Sequence, residues 1–319
     1  MTMTKSRLPH PITYRHCNAR LFHHESRDTC FTGGKISFSR VNAPIELQQL
    51  FLDDSAEGKH FRQHIRSYNH VLSFTSIGVH VDENILASDR GIYTFSAQGA
   101  FYHNIGGFYP NQSVRPRFLQ LYIYDTDNEL HNRMQENPQL HQNIIHKLQK
   151  MLHQFNPFVI RFKQLSLFPN ISECSIILKE RPNSMEYGRD INVIRHDGNL
   201  KKVQDTKGYY DPLQYPILFP FGTHGWDINT TNRNGRRVSY RAYYSYMLQI
   251  RPNDQSILLN AGRLLQQYVV DNYVKIESGR LRWIKDHQRD IRSELYQGLQ
   301  DSLHVSETNA DTNSYSINI

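Results

Sequence analysis

Several kinds of chemistry are missing from this 319-residue chain. It has only three cysteines, Cys17, Cys30 and Cys174, too few and too scattered for a disulfide framework, and no Cys-x-x-Cys occurs. No apolar run approaches the length of a membrane helix, and the opening MTMTKSRLPHPITYRHC lacks the apolar centre of a signal peptide. The expectation is therefore a soluble intracellular protein without a membrane partner. Seventeen histidines are present, yet no two stand as His-x-His. No GxxxxGK[ST] occurs either, since Lys35 precedes Ile36 and Lys59 precedes His60, so a phosphate-cradling loop has no source. Paired carboxylates such as Asp53/Asp54 and Asp125/Asp127 read as solvated turn residues. The tandem Tyr243-Tyr244 looks like a paired nucleophile, but nothing beside it in sequence would activate a phosphate. The chain reads as non-catalytic, with no cofactor.

What is present is globular material of a basic kind. Apolar residues make up 38% and aromatic residues 12%, which argues against disorder. The net charge of +7 is unevenly placed: from Arg233 to Arg292 there are 12 Lys/Arg against 5 Asp/Glu, an excess equal to that of the whole chain. A basic C-terminal third is a candidate polyanion surface. The residues that would make it are Arg233, Arg236, Arg237 and Arg241, then Arg280, Arg282, Lys285, Arg289 and Arg292. On a helix the last three share one face, at i, i+4 and i+7. The alternative is a solvated face on which Asp286, Asp290 and Glu294 pair with these cations.

Tyr209–Trp226, YYDPLQYPILFPFGTHGW, organises the chain. Pro212, Pro216 and Pro220 recur every fourth residue, each fixing φ and removing a donor, so the spacing predicts an extended or turned segment. Its aromatic content predicts an ordered strap across a core.

The rest predicts an α+β fold: a strand-rich mixed N-terminal half with one packed helix, then a long-helix C-terminal segment. Ile45–Leu52 and Lys59–Tyr68 read as short helices. Val71–Val79, Gly91–Ala97, Arg117–Tyr124, Ser175–Leu178 and Asp190–Ile194 read as strands, and Asp197-Gly198 as a hairpin turn. Pro138–His153 carries a helical apolar stripe stopped by Asn156-Pro157. Asn229–Arg237 reads as a flexible basic loop and Val238–Ile250 as a helix. Ser256–Leu303 reads as helical nearly throughout, capped by Ser256 and weakened only at Gly279; its apolar face would be Leu258, Leu265, Val269, Tyr273 and Ile276, continued by Leu281, Ile284, Ile291 and Leu295. The implied divisions are 1–58, an irregular segment; 59–228, an α+β domain closed by the strap; 229–304, a basic helical region; and 305–319, a polar tail.

His16, Cys17, His23, His24 and Cys30 raise the question of zinc, but their spacing is poor for a tetrahedral set. Cys17 and Cys30 are weak candidates, and zinc is not expected.

The wording of several stretches is distinctive. YDPLQYPILFPFGTHGW at Tyr210, IRSYN at Ile65, FTSIG at Phe74, FYHNIGG at Phe101, LQLYIYD at Leu119, GRLLQQYVVDNYVKIE at Gly262 and RLRWIKDHQRDIRSELY at Arg280 occur in the order found in Helitron transposases. The chain resembles the N-terminal, pre-catalytic region of these rolling-circle replicase–helicases of eukaryotic transposons. It departs where related proteins carry a Cys-rich knuckle: Tyr14 and Phe31 stand where cysteines are usual. The resemblance implies that the family's metal-holding His pair, nucleophilic Tyr and helicase motifs lie C-terminal to RLRWIKDHQ, so the chain reads as truncated before them. It also implies a nuclear, DNA-associated module for transposition, contacting single-stranded or transposon DNA, with a downstream catalytic or helicase polypeptide as a further partner. The alternatives are an enzyme part acting with a separate catalytic chain, and a decayed remnant.

Overall fold

The computed structural model describes residues 12–14, 16–21, 38, 43–81, 97–106, 115–123, 127–165, 191–194, 200–203, 205–251 and 256–288. Among them helices dominate, and the strand-rich N-terminal half is not what forms. A short antiparallel pair, β1 (Ile12–Thr13) and β2 (Arg20–Leu21), is followed by α1 (Ile45–Leu52), α2 (Ala56–Gln63) and α3 (Ile65–Leu72). Next come β3 (Ser76–Val81) and β4 (Ala97–Gly106), then α4 (Leu119–Ile123), α5 (Glu129–Glu136), α6 (Gln142–Phe155) and α7 (Pro157–Leu165). β5 (Ile191–Ile194) and β6 (Leu200–Val203) complete a sheet ordered β3-β4-β5-β6, in which only the β4–β5 pair is parallel. The chain ends its described part with α8 (Tyr210–Gln214), α9 (Tyr240–Met247), α10 (Ile257–Asn260) and α11 (Arg263–Asp286). The architecture is α+β, and none of its described helices is long and apolar enough to cross a membrane.

Of two strand expectations, Val71–Val79 holds only from Ser76, where β3 begins, and Arg117–Tyr124 fails. Val71 and Leu72 end α3, whose buried Ile65, Tyr68, Val71 and Leu72 recur at helical spacing. Arg117–Tyr124 contains α4, a single turn with Leu119, Leu121, Tyr122 and Ile123 all buried. A short helix buried on every side leaves no period to read. By contrast, α6 buries Ile144, Ile145, Leu148, Met151 and Leu152 on one face, as its stripe foretold. Asn156-Pro157 does more than stop it: the Asn156 side-chain oxygen accepts from the Phe158 and Val159 amides, and Pro157 opens α7, where its missing N–H costs nothing. Lys59–Tyr68 divides at His64 into α2 and α3. Ser55 caps α2 by accepting from the Gly58 amide, while Arg62 donates to the Leu50, Phe51 and Asp53 carbonyls that α1 leaves open.

The strap is ordered as expected but turned and partly helical rather than extended. Pro212 sits in the first turn of α8, where a helix has no partner for an N–H. Turns then follow, with the Leu218 and Phe219 amides donating to Tyr215 O and the Gly222 amide to Phe219 O. Gly222 has φ +61 and lies against the Pro157 ring, a conformation and a space that favour glycine. Tyr210, Leu213, Tyr215, Ile217, Leu218, Phe219 and Trp226 are buried in one cluster that also holds Phe61 and Leu72 from the early helices and Tyr244 and Tyr268 from the late ones. Buried side chains on both sides of position 228 therefore share a single core.

The long C-terminal helix breaks at Gly262, not at Gly279. Gly262 has φ +53 between α10 and α11, whereas Gly279 lies inside α11, within van der Waals range of the Tyr240 ring. Ser256 precedes α10 without making a side-chain cap bond. Of the expected Gly91–Ala97 strand only Ala97, which opens β4, is described; residues 91–96, Asp197-Gly198, Ser175–Leu178 and the polar tail lie outside the described residues.

Candidate nucleic-acid interface

The site is built in two layers, a buried polar anchor and a basic surface over it. In the anchor, Asp211 and Lys275 are almost fully enclosed. Lys275 Nζ lies 2.8 Å from Asp211 Oδ1 and donates at 2.9 Å to the Tyr244 hydroxyl. That hydroxyl donates in turn to Asp211 Oδ2 at 2.8 Å, and the Tyr268 hydroxyl donates to the same oxygen at 3.2 Å. Lys275 Nζ also sits 4.6 Å from the Tyr210 ring centre and 5.5 Å from that of Tyr244, within cation–π range. A β-carbon at Gly225 would run into the Asp211 carboxylate, so the backbone closes on the pair only because residue 225 is glycine.

This anchor dictates which face of α11 turns inward. Leu264, Tyr268, Asn272 and Lys275 are buried, whereas Tyr273 is 64% exposed and Val269 lies on the surface. The apolar face read from sequence is thus rotated away from the core. A lysine at a core position looks polar in sequence, but its counter-charge, 64 residues upstream, makes the burial tolerable. Asp211, Tyr268 and Lys275 were missed for this reason; the one available signal was the helical spacing of 264, 268, 272 and 275.

The tandem tyrosines belong to the same anchor. Tyr243 and Tyr244 are buried on α9, and burial, reinforced by the Asp211 charge, pushes both phenols up from their ordinary value. Such hydroxyls stay protonated and are poor nucleophiles. Tyr240 is raised by burial and then by Asp205, and its ring packs 3.5 Å from that of Trp226, whose indole N–H donates to Val238 O.

Over this anchor lies the basic surface. The stretch 228–253 contains no Asp or Glu and five arginines. Asn229–Arg237 is not a flexible loop but a closed hairpin: Thr231 bridges Arg237, the Asn232 amide donates to Arg236 O at 2.8 Å, and the Val238 amide to Thr230 O at 2.9 Å. The Asn232 side-chain oxygen accepts from the Asn234 and Arg236 amides, and Gly235 supplies φ +73 at the tip. Ser239 then caps α9 by accepting from the Ala242 amide. Arg233, Arg236 and Arg237 on the hairpin and Arg241 in the first turn of α9 are all exposed. The fifth arginine, Arg251, stacks 4.1 Å from the Tyr246 ring centre and donates to Tyr246 O.

The remaining expected contacts divide. Arg280 is exposed and pairs with Glu277 at 2.6 Å. Arg282 is drawn inward to the buried Asp205, 3.5 Å away, and so serves the fold. Lys285 is exposed; Arg289 and Arg292 lie outside the described residues, so only one member of the proposed helical stripe is placed. Cys17 sits 3.9 Å from both the Arg251 guanidinium and the Gln249 side-chain oxygen, and Cys30 lies outside the described residues. Among the described residues, no three His, Cys, Asp or Glu side chains are grouped so as to hold a metal ion.

No curated protein matches the chain. Residues 243–318, which begin inside α9 and include α10 and α11, match the family model of the Helitron helicase-like domain at N-terminus, so this C-terminal part of the chain is similar to that domain.

Proposed function

We propose that this chain is a nuclear, DNA-contacting module of the transposon-related Helitron group, and that it binds DNA without cutting it. The observation that carries the reading is the acid-free stretch from Ile228 to Asn253, which displays Arg233, Arg236, Arg237 and Arg241 on a closed hairpin and the adjoining helix start. Arg241 stands in the first turn of α9, where the helix dipole already favours an anion and no acid competes. A cation there is unfavourable for the helix alone, and a phosphate would relieve both charges. The hairpin's hydrogen bonds hold the backbone that carries the arginines, so less loop ordering opposes binding. Burial keeps the Tyr243 and Tyr244 phenols protonated, so neither of these two tyrosines offers this surface a ready nucleophile.

The test is a titration of single-stranded and duplex DNA at several salt concentrations, on the native chain and on Arg236→Glu/Arg237→Glu. A steep fall of affinity with salt is expected, with a smaller slope in the double variant. Affinity equal to that of an unrelated protein of the same net charge, unchanged by the double variant, would sink the reading.

A further inference from the structure

α11 buries polar residues and exposes apolar ones. Opposite the inward Tyr268, Asn272 and Lys275 stand Val270, 60% exposed, Tyr273, Val274, Leu281, 66% exposed, and Ile284, 46% exposed. Helices of monomeric proteins do not normally present such a row to water. Along its centre, Gln266, Val270, Tyr273, Glu277, Arg280, Ile284 and His287 follow one another at alternating intervals of four and three, the spacing of a coiled-coil seam. Val274 and Leu281 flank that seam.

We propose that this face is an interface between two copies of the chain, paired antiparallel about a two-fold axis between Ser278 and Gly279. The charges in the seam select both the occupant and the direction. Glu277 and Arg280 sit at its middle, already 2.6 Å apart within one chain. A parallel pair would set Glu277 against Glu277 and Arg280 against Arg280. The antiparallel pair sets each Glu277 against Arg280 of the other copy, and the same register sets Tyr273 against Ile284. An isologous interface needs this kind of self-complementarity, and a polar pair inside an apolar seam fixes register. The pairing needs no DNA and leaves the arginine hairpin untouched, so it stands or falls independently of the proposed binding.

Sedimentation of the whole chain over a range of concentrations tests it. The wild-type chain is expected to dimerise. Glu277→Arg and Arg280→Glu, each folded by circular dichroism, are each expected to stay monomeric alone, because their seams carry one sign of charge. Mixed in equal amounts, they should form a heterodimer in which every cross-pair is again opposite. A second arm makes Tyr273→Cys and Ile284→Cys in separate chains; oxidation should link the mixture as a heterodimer, whereas self-linking of either variant alone would mark a parallel pair and overturn the proposal. A wild-type chain that remains monomeric overturns the proposal and leaves the stripe to another occupant, such as residues 289–319. Single variants that dimerise like the wild type, or a mixture that does not associate, overturn it equally.

Discussion

Lys275 on α11 reaches the carboxylate of Asp211 on α8, and both are buried among tyrosines. The contact ties the strap to the long helix, and so joins residues inside the Helitron-like match to residues upstream of it. A polypeptide beginning at Tyr243 would contain Lys275 without Asp211, and Tyr268 without Tyr215 and Phe219, which meet its ring. Such a fragment is expected to be largely unfolded by circular dichroism, while 205–288 with the early helices melts cooperatively.

Removing one member of the pair is expected to hurt more than removing both. Lys275→Met leaves Asp211 charged and buried, and loses about 3–5 kcal/mol on the experience of other buried pairs. Lys275→Met with Asp211→Asn leaves no buried charge, and the new amide oxygen can still accept from Tyr244 and Tyr268. Urea unfolding of the three chains should place the double variant above the single. The opposite order would mean that the pair is not the anchor described.

These residues also mark what sequence can and cannot convey. Ile45–Leu52 and the α6 stripe were legible because local apolar spacing decides them. So was the pairing of β5 with β6 around Asp197-Gly198, although that turn itself is not described. The α4 turn was not legible, since burial on all sides erases its period. The inward face of α11 was not legible either, because a lysine and an asparagine occupy core positions for the sake of partners distant in the chain. In the proposed interface, the hairpin arginines could be named from composition alone. Arg282 could not be separated from them, because only folding brings Asp205 beneath it.

That separation is measurable. Arg282→Ala leaves the buried Asp205 without its cation and should cost about 1–3 kcal/mol of stability. Its effect on DNA affinity, measured well below the melting temperature, should be small beside that of Arg236→Glu/Arg237→Glu. Equal losses of affinity would place Arg282 in the interface rather than beneath it.

Two glycines separate steric contact from backbone strain. Gly225→Ala forces a methyl into the Asp211 carboxylate, which three groups hold in place, so a loss beyond about 2 kcal/mol is expected. Gly235→Ala meets nothing within 4 Å and pays only for φ +73, about 1 kcal/mol. Thermal melts of the two variants should rank accordingly, and the Gly235 change should leave the core fluorescence of Trp226 unaltered.

Acid should unfold the protein in two stages. The His60 ring stacks 3.7 Å from His141 and 4.4 Å from His64, and its Nδ1 lies 3.0 Å from the Tyr68 hydroxyl. Burial, then the His141 and His64 charges, hold its pKa below 6.5. The unfolded chain therefore takes up this proton first, and stability falls as pH drops through about 6.5 and levels off once the folded form is protonated. Glu129 supplies the second stage. Burial raises its pKa, but the hydrogen bond with His153 and the charge of Arg133 outweigh burial and leave it lowered from 4.5. Its contribution is complete above the unfolded value and disappears as pH falls below it. Melting temperature against pH should show both declines in the native chain, and His60→Gln should remove part of the upper one while sparing the lower. If the upper decline is unchanged in that variant, the histidine stack is not its source.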